Sequence, residues 1–328
     1  MQNFGLVHKE DPRDWGAEID KSGFIEINIK DWFSYLPTRE KQHSVYFDTL
    51  GCVTFAMLNQ GEAVFNHLVR DRVFNQNNIN WLKEKGYIDE NGNINFSDRF
   101  CLIQNGTYER NGNDSTTVYN SAFNEETGTG LIPEKMLPYP VEQRTPVFDR
   151  EDYFDKSVIT DEIRELGKEF LRRFTINYFR THYKDKNKYL HNSPLTCYIR
   201  TRCTEKINCV GQTNHAVVYY TEKLKDGWLP LFDSYESPDK DFIRLMGADY
   251  IFPENMRFIK IKEKTMFVKE KNNNAVYIKT PSNQYVPIID GNVIEKVYGG
   301  FDKITVTQVD SIDHSKITSE RLGLVSFE

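Results

Sequence analysis

A thiol, an imidazole and a carboxylate occur in that order at Cys52, His215 and Asp233, each in a stretch able to hold it in a defined position. Cys52 lies in Thr49-Leu50-Gly51-Cys52-Val53-Thr54-Phe55-Ala56, where a polar loop turns into an apolar helix. The first N–H groups of a helix have no internal partners and carry positive partial charge, so they stabilise a thiolate and can hold a developing oxyanion. His215 sits in the strand-like run Asn214-His215-Ala216-Val217-Val218-Tyr219-Tyr220, and Asp233 in Leu231-Phe232-Asp233-Ser234-Tyr235. A nucleophile, a base and an orienting group in these contexts make acyl transfer through a thioester the expected chemistry. Each residue also has a plainer reading: a core thiol, a hydrogen-bonded strand histidine and a turn carboxylate. His43 is a rival base without strand context, while His67, His182 and His191 fall in helix or loop patterns and read as surface or packing residues.

The elements that must position these groups follow from local pattern. From Cys52 onward, Val53, Phe55, Ala56, Met57 and Leu58 are apolar on nearly every face, which predicts a central, buried helix. Residues 91–130 are dense in Gly, Asn, Asp, Ser and Thr and read as loops with little regular structure. A long helix is expected from Thr160 to about Arg180, capped by Thr160, with Ile163, Leu166, Phe170 and Phe174 as its apolar stripe. After Asn192-Ser193-Pro194 the pattern turns β-rich, with strands at 195–200, 216–220 and 228–232. From about Glu263 it becomes hairpin-like, as in Ala275-Val276-Tyr277-Ile278 and Tyr285-Val286-Pro287-Ile288-Ile289. The expected organisation is an N-terminal arm (1–30) rich in turns such as Asp11-Pro12-Arg13-Asp14, a catalytic domain (31–262) and a small β-rich C-terminal module (263–328).

Bulk composition narrows the partners. A chain of 328 residues and 38.5 kDa with 39% hydrophobic and 13% aromatic residues is long and apolar enough for a sizeable core. A net charge of −6 and a pI near 5.8 give no basic footprint for nucleic acid. No apolar run approaches the length of a membrane span and Met1 to Trp15 lacks the apolar segment of a signal peptide, so no membrane partner and a cytoplasmic or virion-associated location are expected. Five cysteines, an odd number in a large chain, suit free thiols in a reducing compartment. Cys197, Cys203 and Cys209 lack the short gaps of zinc knuckles and read as buried, inert thiols, so neither metal nor organic cofactor is expected.

Taken together, these segments resemble the papain-like cysteine peptidases. Asp31-Trp32, Gln42 and Cys52-Val53-Thr54-Phe55-Ala56 are similar to that family's N-terminal arm, oxyanion glutamine and nucleophile helix. Phe96-Ser97-Asp98-Arg99-Phe100, the glycine-rich 105–113 stretch and Gly130-Leu131-Ile132-Pro133-Glu134 with Pro138-Tyr139-Pro140 are similar to the segments that follow. Ser193 to Ile199, Asn214-His215-Ala216-Val217 and Trp228 to Tyr235 resemble the strands before, at and after the histidine, and the likeness spans roughly residues 30 to 250. Val53 and Tyr235 stand where the family usually has tryptophan, and Asp233 where it usually has asparagine. The ten-residue gap from Gln42 to Cys52 exceeds the family pattern.

The resemblance implies an α+β papain-like fold with a helical half and a β half, followed by the small β module. It implies that Cys52 attacks, His215 serves as base and acid, Asp233 orients the ring, and Gln42 or a backbone amide holds the oxyanion, each such donor being worth about 3 to 4 kcal/mol. The expected substrate is a protein or peptide amide or isopeptide. The general style also resembles papain-like proteins of bacteriophages and bacteria, and with no long propeptide ahead of the motifs, control by expression, partner or compartment is expected. Two other functions fit the same residues. One is a non-catalytic structural or virion protein that docks a partner on the C-terminal module; the other is a transglutaminase-like acyl transferase, which also uses a Cys-His-Asp set.

Overall fold

The structure is a computed structural model and describes residues 24–43, 47–138, 150–200, 213–235, 242–264, 266–279, 284–288, 294 and 306–317. Its helices are α1 (Cys52–Arg70), α2 (Gln76–Lys85), α3 (Asp98–Gln104), α4 (Thr107–Arg110), α5 (Ser115–Phe123), α6 (Arg150–Tyr153), α7 (Asp161–Arg173) and α8 (Lys186–Leu190). Its strands are β1 (Phe174–Thr181), β2 (Leu195–Ile199), β3 (His215–Tyr219), β4 (Trp228–Phe232), β5 (Ile243–Gly247), β6 (Met256–Glu263), β7 (Met266–Glu270), β8 (Val276–Lys279), β9 (Tyr285–Ile288) and β10 (Val306–Val309). The fold is α+β, a helical half followed by a sheet half, as expected. Among the described residues no helix is long and apolar enough to cross a membrane.

Helix α1 is buried from Cys52 to Asn66 on all its faces, which is why its sequence carries no clean polar stripe. It packs against β3 on one side and against α3 and α5 on the other. Gln60 in its middle is fully buried and donates to the carbonyls of Pro194 (2.6 Å) and Arg257 (2.8 Å), while Tyr119 donates to its Oε1. A buried amide is tolerated only when its polar atoms are bonded, and these bonds clamp the helix to the sheet half. Near its C-terminal end Phe65 lies 5.2 to 5.6 Å from the rings of Phe74, Phe96, Phe170 and Phe174, an aromatic cluster that joins α1 to α7 and β1.

The main sheet has six strands in the order β1-β6-β2-β3-β4-β5, every neighbouring pair antiparallel. The three strands expected at 195–200, 216–220 and 228–232 lie in the sheet's interior beside β6, and β2 and β3 are buried along their whole length. Residues 24–32 run along this body: Ile25 donates to Ile261, Ile29 to His191, and Trp32 to Tyr220 through its backbone and to Leu190 through its indole. The turn at Asp11–Asp14 lies outside the described residues. Beyond Glu263, β7 to β10 pair in a separate four-stranded sheet, order β10-β7-β8-β9, with a small core of Val268, Tyr277 and Ile312.

Two expectations are corrected. The helix begins where expected, with Thr160 Oγ1 accepting from Ile163 N–H (3.3 Å), but it ends at Arg173; Phe174 opens strand β1. Phe174 to Thr181 is rich in aromatic and β-branched residues and pairs in continuous register with β6, so eight residues of ladder replace two helical turns. The 91–130 stretch is not mainly loop, for it holds α3, α4 and α5. Its Ser97 and Asp114 are helix N-caps, accepting from Phe100 and Thr117 N–H. Residues that favour turns are the same ones that favour N-caps, which is why composition alone misassigned them.

Candidate active site

Cys52 is the first residue of α1, with Gly51 at the N-cap. Gly51 supplies no side-chain acceptor to the first-turn N–H groups, and a Cβ there would meet Leu102 Cδ2 at 2.4 Å, so a larger residue would have to displace the Leu102 side chain of α3. The thiol is completely buried, and burial drives it well above its ordinary pKa. Backbone hydrogen bonds from Ala216 and Val53 pull the other way, and the Asp48 and Asp233 carboxylates add to the rise. The bond from Ala216 places the sulfur directly beside the strand that carries His215.

His215 opens β3, opposite Ile199 of β2, and is fully buried. Its Nε2 lies 2.6 Å from Asp233 Oδ1. Asp233 follows the last residue of β4 and is anchored by its N–H to the Phe242 carbonyl (2.9 Å). Burial alone would raise the Asp233 carboxyl, but His215 and Arg244 outweigh it and hold the group down to about 2. Its Oδ1 also accepts the Tyr235 N–H (3.1 Å), and its Oδ2 accepts Arg244 Nε at 2.5 Å.

The structure thus gathers Cys52, His215 and Asp233 from a helix start and two adjacent strands that are separated by more than 160 residues of chain. Gln42 is brought to the same region, where it is fully buried, and its amide is engaged in a network. Its Nε2 donates to Asp48 Oδ1 (3.1 Å) and to the Tyr235 hydroxyl (2.8 Å), and its Oε1 accepts from Ser234 Oγ (2.7 Å). Both amide hydrogens therefore have acceptors, and donation to an oxyanion would require one of those bonds to be exchanged. The side chain braces the loop ahead of α1 against the end of β4. Asp48 completes the brace by accepting from the Tyr235 hydroxyl and from Leu50 N–H (2.8 Å).

The Tyr235 ring lies edge-on to His215, with centroids 5.1 Å apart, and on another side it stacks on His43 at 4.8 Å. The rival base His43 is therefore in the neighbourhood, in a layer beyond Tyr235. His67, His182 and His191 serve packing and turns: His67 bonds Asp71, His182 accepts from Lys184 N–H, and His191 bonds Asn28. Cys197 is a buried free thiol beside Val217, as are Cys101 and Cys52 in their own surroundings, whereas Cys203 and Cys209 lie outside the described residues, as do Tyr139 and Pro140. Sequence reasoning missed Asp48, Ser234 and Arg244. A charged residue inside the apolar run Phe242-Ile243-Arg244-Leu245-Met246, soon after Asp233, was the available signal.

Among the described residues one group has potential metal-ligating geometry, Glu40, Asp98 and Glu134, with ligand atoms within 4.8 Å of one another. Burial, the Glu40 charge and a hydrogen bond with Glu40 push the Asp98 carboxyl well up, so the trio reads as carboxyl groups sharing protons.

No protein-family model matches the chain, and no curated protein matches it. A similar solved structure is that of digestive procathepsin L 3 of the larval midgut of Tenebrio molitor, with a TM-score of 0.44 and 12% identity, covering 78% of this chain and 76% of that one. That likeness is too slight to bear on the chemistry, and the functional reading rests on the side-chain geometry.

Proposed function

We propose that this protein is a papain-like thiol peptidase that hydrolyses peptide or isopeptide amide bonds. The observation that carries this reading is the Cys52 sulfur at a helix N-terminus, hydrogen-bonded by the backbone of Ala216, the residue that follows His215 on β3, while Asp233 holds the His215 ring. In the reaction, the Cys52 proton passes to His215 and the thiolate attacks the carbonyl carbon. The resulting oxyanion is held by backbone N–H groups of the first turn of α1, because the Gln42 amide is engaged elsewhere. The imidazolium then protonates the leaving amine, and a water deprotonated by His215 cleaves the thioester and restores the thiol. In a phage or bacterial setting, a structural protein or a cell-wall peptide would present such bonds, and free thiols suit a reducing compartment or a virion.

The full burial of Cys52, with its thiol held protonated, favours a second reading: a non-catalytic protein on the same scaffold that docks a partner through the C-terminal sheet. Alkylation of the folded protein from about pH 4 to 9, with the label located by mass spectrometry, separates the two. The peptidase reading expects Cys52 to be labelled selectively below neutrality and this selectivity to be lost in His215→Ala, with amide hydrolysis abolished in Cys52→Ala. Labelling no faster than at the other cysteines, and indifferent to His215, would sink it in favour of the scaffold.

A further inference from the structure

We propose that Arg244 is a positioning residue that neutralises Asp233, so that the Asp233–Arg244 pair presents to His215 the field of a neutral amide and not that of a bare carboxylate. The inference rests on the peptidase reading for its catalytic meaning, though not for its electrostatics.

The two carboxylate oxygens of Asp233 have divided tasks. Oδ1 takes His215 Nε2 and the Tyr235 N–H, and Oδ2 takes Arg244 Nε. Arg244 lies on β5, where it is paired with Leu231 one strand away from the carboxylate, and its side chain is 24% exposed while that of Asp233 is 1% exposed. A lone buried carboxylate would bias the ring strongly toward imidazolium, whereas a bonded carboxylate–guanidinium pair carries no net charge. From the ring, what remains is an oxygen acceptor at the negative end of a dipole. An asparagine side chain would supply the same at this position.

Among the described residues, the other titratable groups around the pair include Cys52 from α1, Asp48 from the loop before it, Tyr235 just after β4 and Cys197 from β2. Asp48 accepts three hydrogen bonds of its own, and burial together with the Asp48 charge holds the Tyr235 hydroxyl protonated, its pKa driven well up. Among these, Arg244 is the cation bonded to the orienting carboxylate.

The test is the pH titration of the His215 ring, followed by NMR in histidine-labelled protein and assigned by its loss in His215→Gln. A Cys52→Ser background uncouples it from the thiol. Arg244→Met, which leaves the carboxylate uncompensated, should move the titration up by about one pH unit, and Asp233→Asn, which leaves the guanidinium uncompensated, should move it down by about as much. The double variant Asp233→Asn/Arg244→Met should return close to the parent. A purely structural role for Arg244 predicts no such restoration, and a titration unmoved by Arg244→Met, or a double variant displaced further than either single one, overturns the proposal. Arg244→Lys keeps the charge and supplies an arm independent of whether the Met variant folds. It should titrate like the parent, and a rise as large as that expected for Met would overturn the charge-pairing account. Failure of the peptidase reading would show separately, as an unreactive Cys52 in the alkylation experiment with the His215 titrations behaving as stated.

Discussion

Asp233 is nearly inaccessible to solvent and charged, a combination that survives only because each of its oxygens is bonded. Its carboxyl is held at about 2 against an ordinary 3.8, so the stability it contributes is fully present above its ordinary value and is lost as pH falls toward 2. Tyr235 makes a complementary contribution: its backbone donates to Asp233, its ring borders His215, and its hydroxyl joins Gln42 to Asp48. Tyr235→Phe keeps the ring and removes only the hydroxyl, leaving the buried Gln42 and the half-buried Asp48 each short of one partner. The expected cost is about 1 to 3 kcal/mol by urea denaturation. A variant as stable as the parent would show that the brace is dispensable. The residue chemistry of this site was legible to the extent that Cys52, His215 and Asp233 meet. The partners of Gln42 were not, because an amide in a polar loop carries no sequence mark of what it will bond.

At the scale of elements, the site depends on a helix start and two strand ends being held still. The approach of the 129–132 segment to α7 shows how closely the helical half is built. Gly130 has φ +71, and a Cβ there would lie 1.8 Å from the Gly167 carbonyl oxygen, while a Cβ on Gly167 would lie 2.2 Å from that of Thr129. Backbone cannot yield as a flexible side chain can, so Gly130→Ala combines a disfavoured conformation with a clash. It should lower stability by about 3 kcal/mol, measured by chemical denaturation. A loss no greater than that of an exposed-loop substitution would mean the two segments part readily. The same region explains what local pattern misses. Ser97 and Asp114 look like loop residues until the helices they cap are seen, and Phe174 continues the α7 stripe until β6 is available to pair with it.

Across the whole molecule, acidic groups act on stability in opposite directions. Glu62 and Asp98 are fully buried close to Glu40 and Glu134, and burial followed by the Glu40 charge pushes both carboxyls well above their ordinary range. A carboxyl raised in the folded state contributes stability that is complete below its unfolded pKa and is lost as pH rises through the folded one. Asp233 has the reverse sign, so the stability maximum is expected on the mildly acid side. Asp98→Asn replaces a protonated donor facing Glu40 with an amide donor that needs no proton. The thermal midpoint of this variant should therefore exceed that of the parent at pH 8 and differ little at pH 4, as read by calorimetry at the two values. Equal differences at both would show that Asp98 is not the titrating group.

The sequence by itself determined the order of thiol, imidazole and carboxylate, the buried character of α1, three of the interior strands of the sheet and the hairpin pattern of β8 and β9. These are properties of residue type and short-range periodicity, which neighbours along the chain fully express. Only the tertiary structure decided that β5 lies beside β4, and so sets Arg244 on Asp233, that Gln42 bonds Tyr235 across 193 residues, and that Cys52 is buried against Ala216. Each of these depends on which strand is adjacent to which and on how deeply the helix start is covered. Such facts arise from long-range pairing and packing, so the reactivity of the thiol belongs to the fold even though its identity belongs to the sequence.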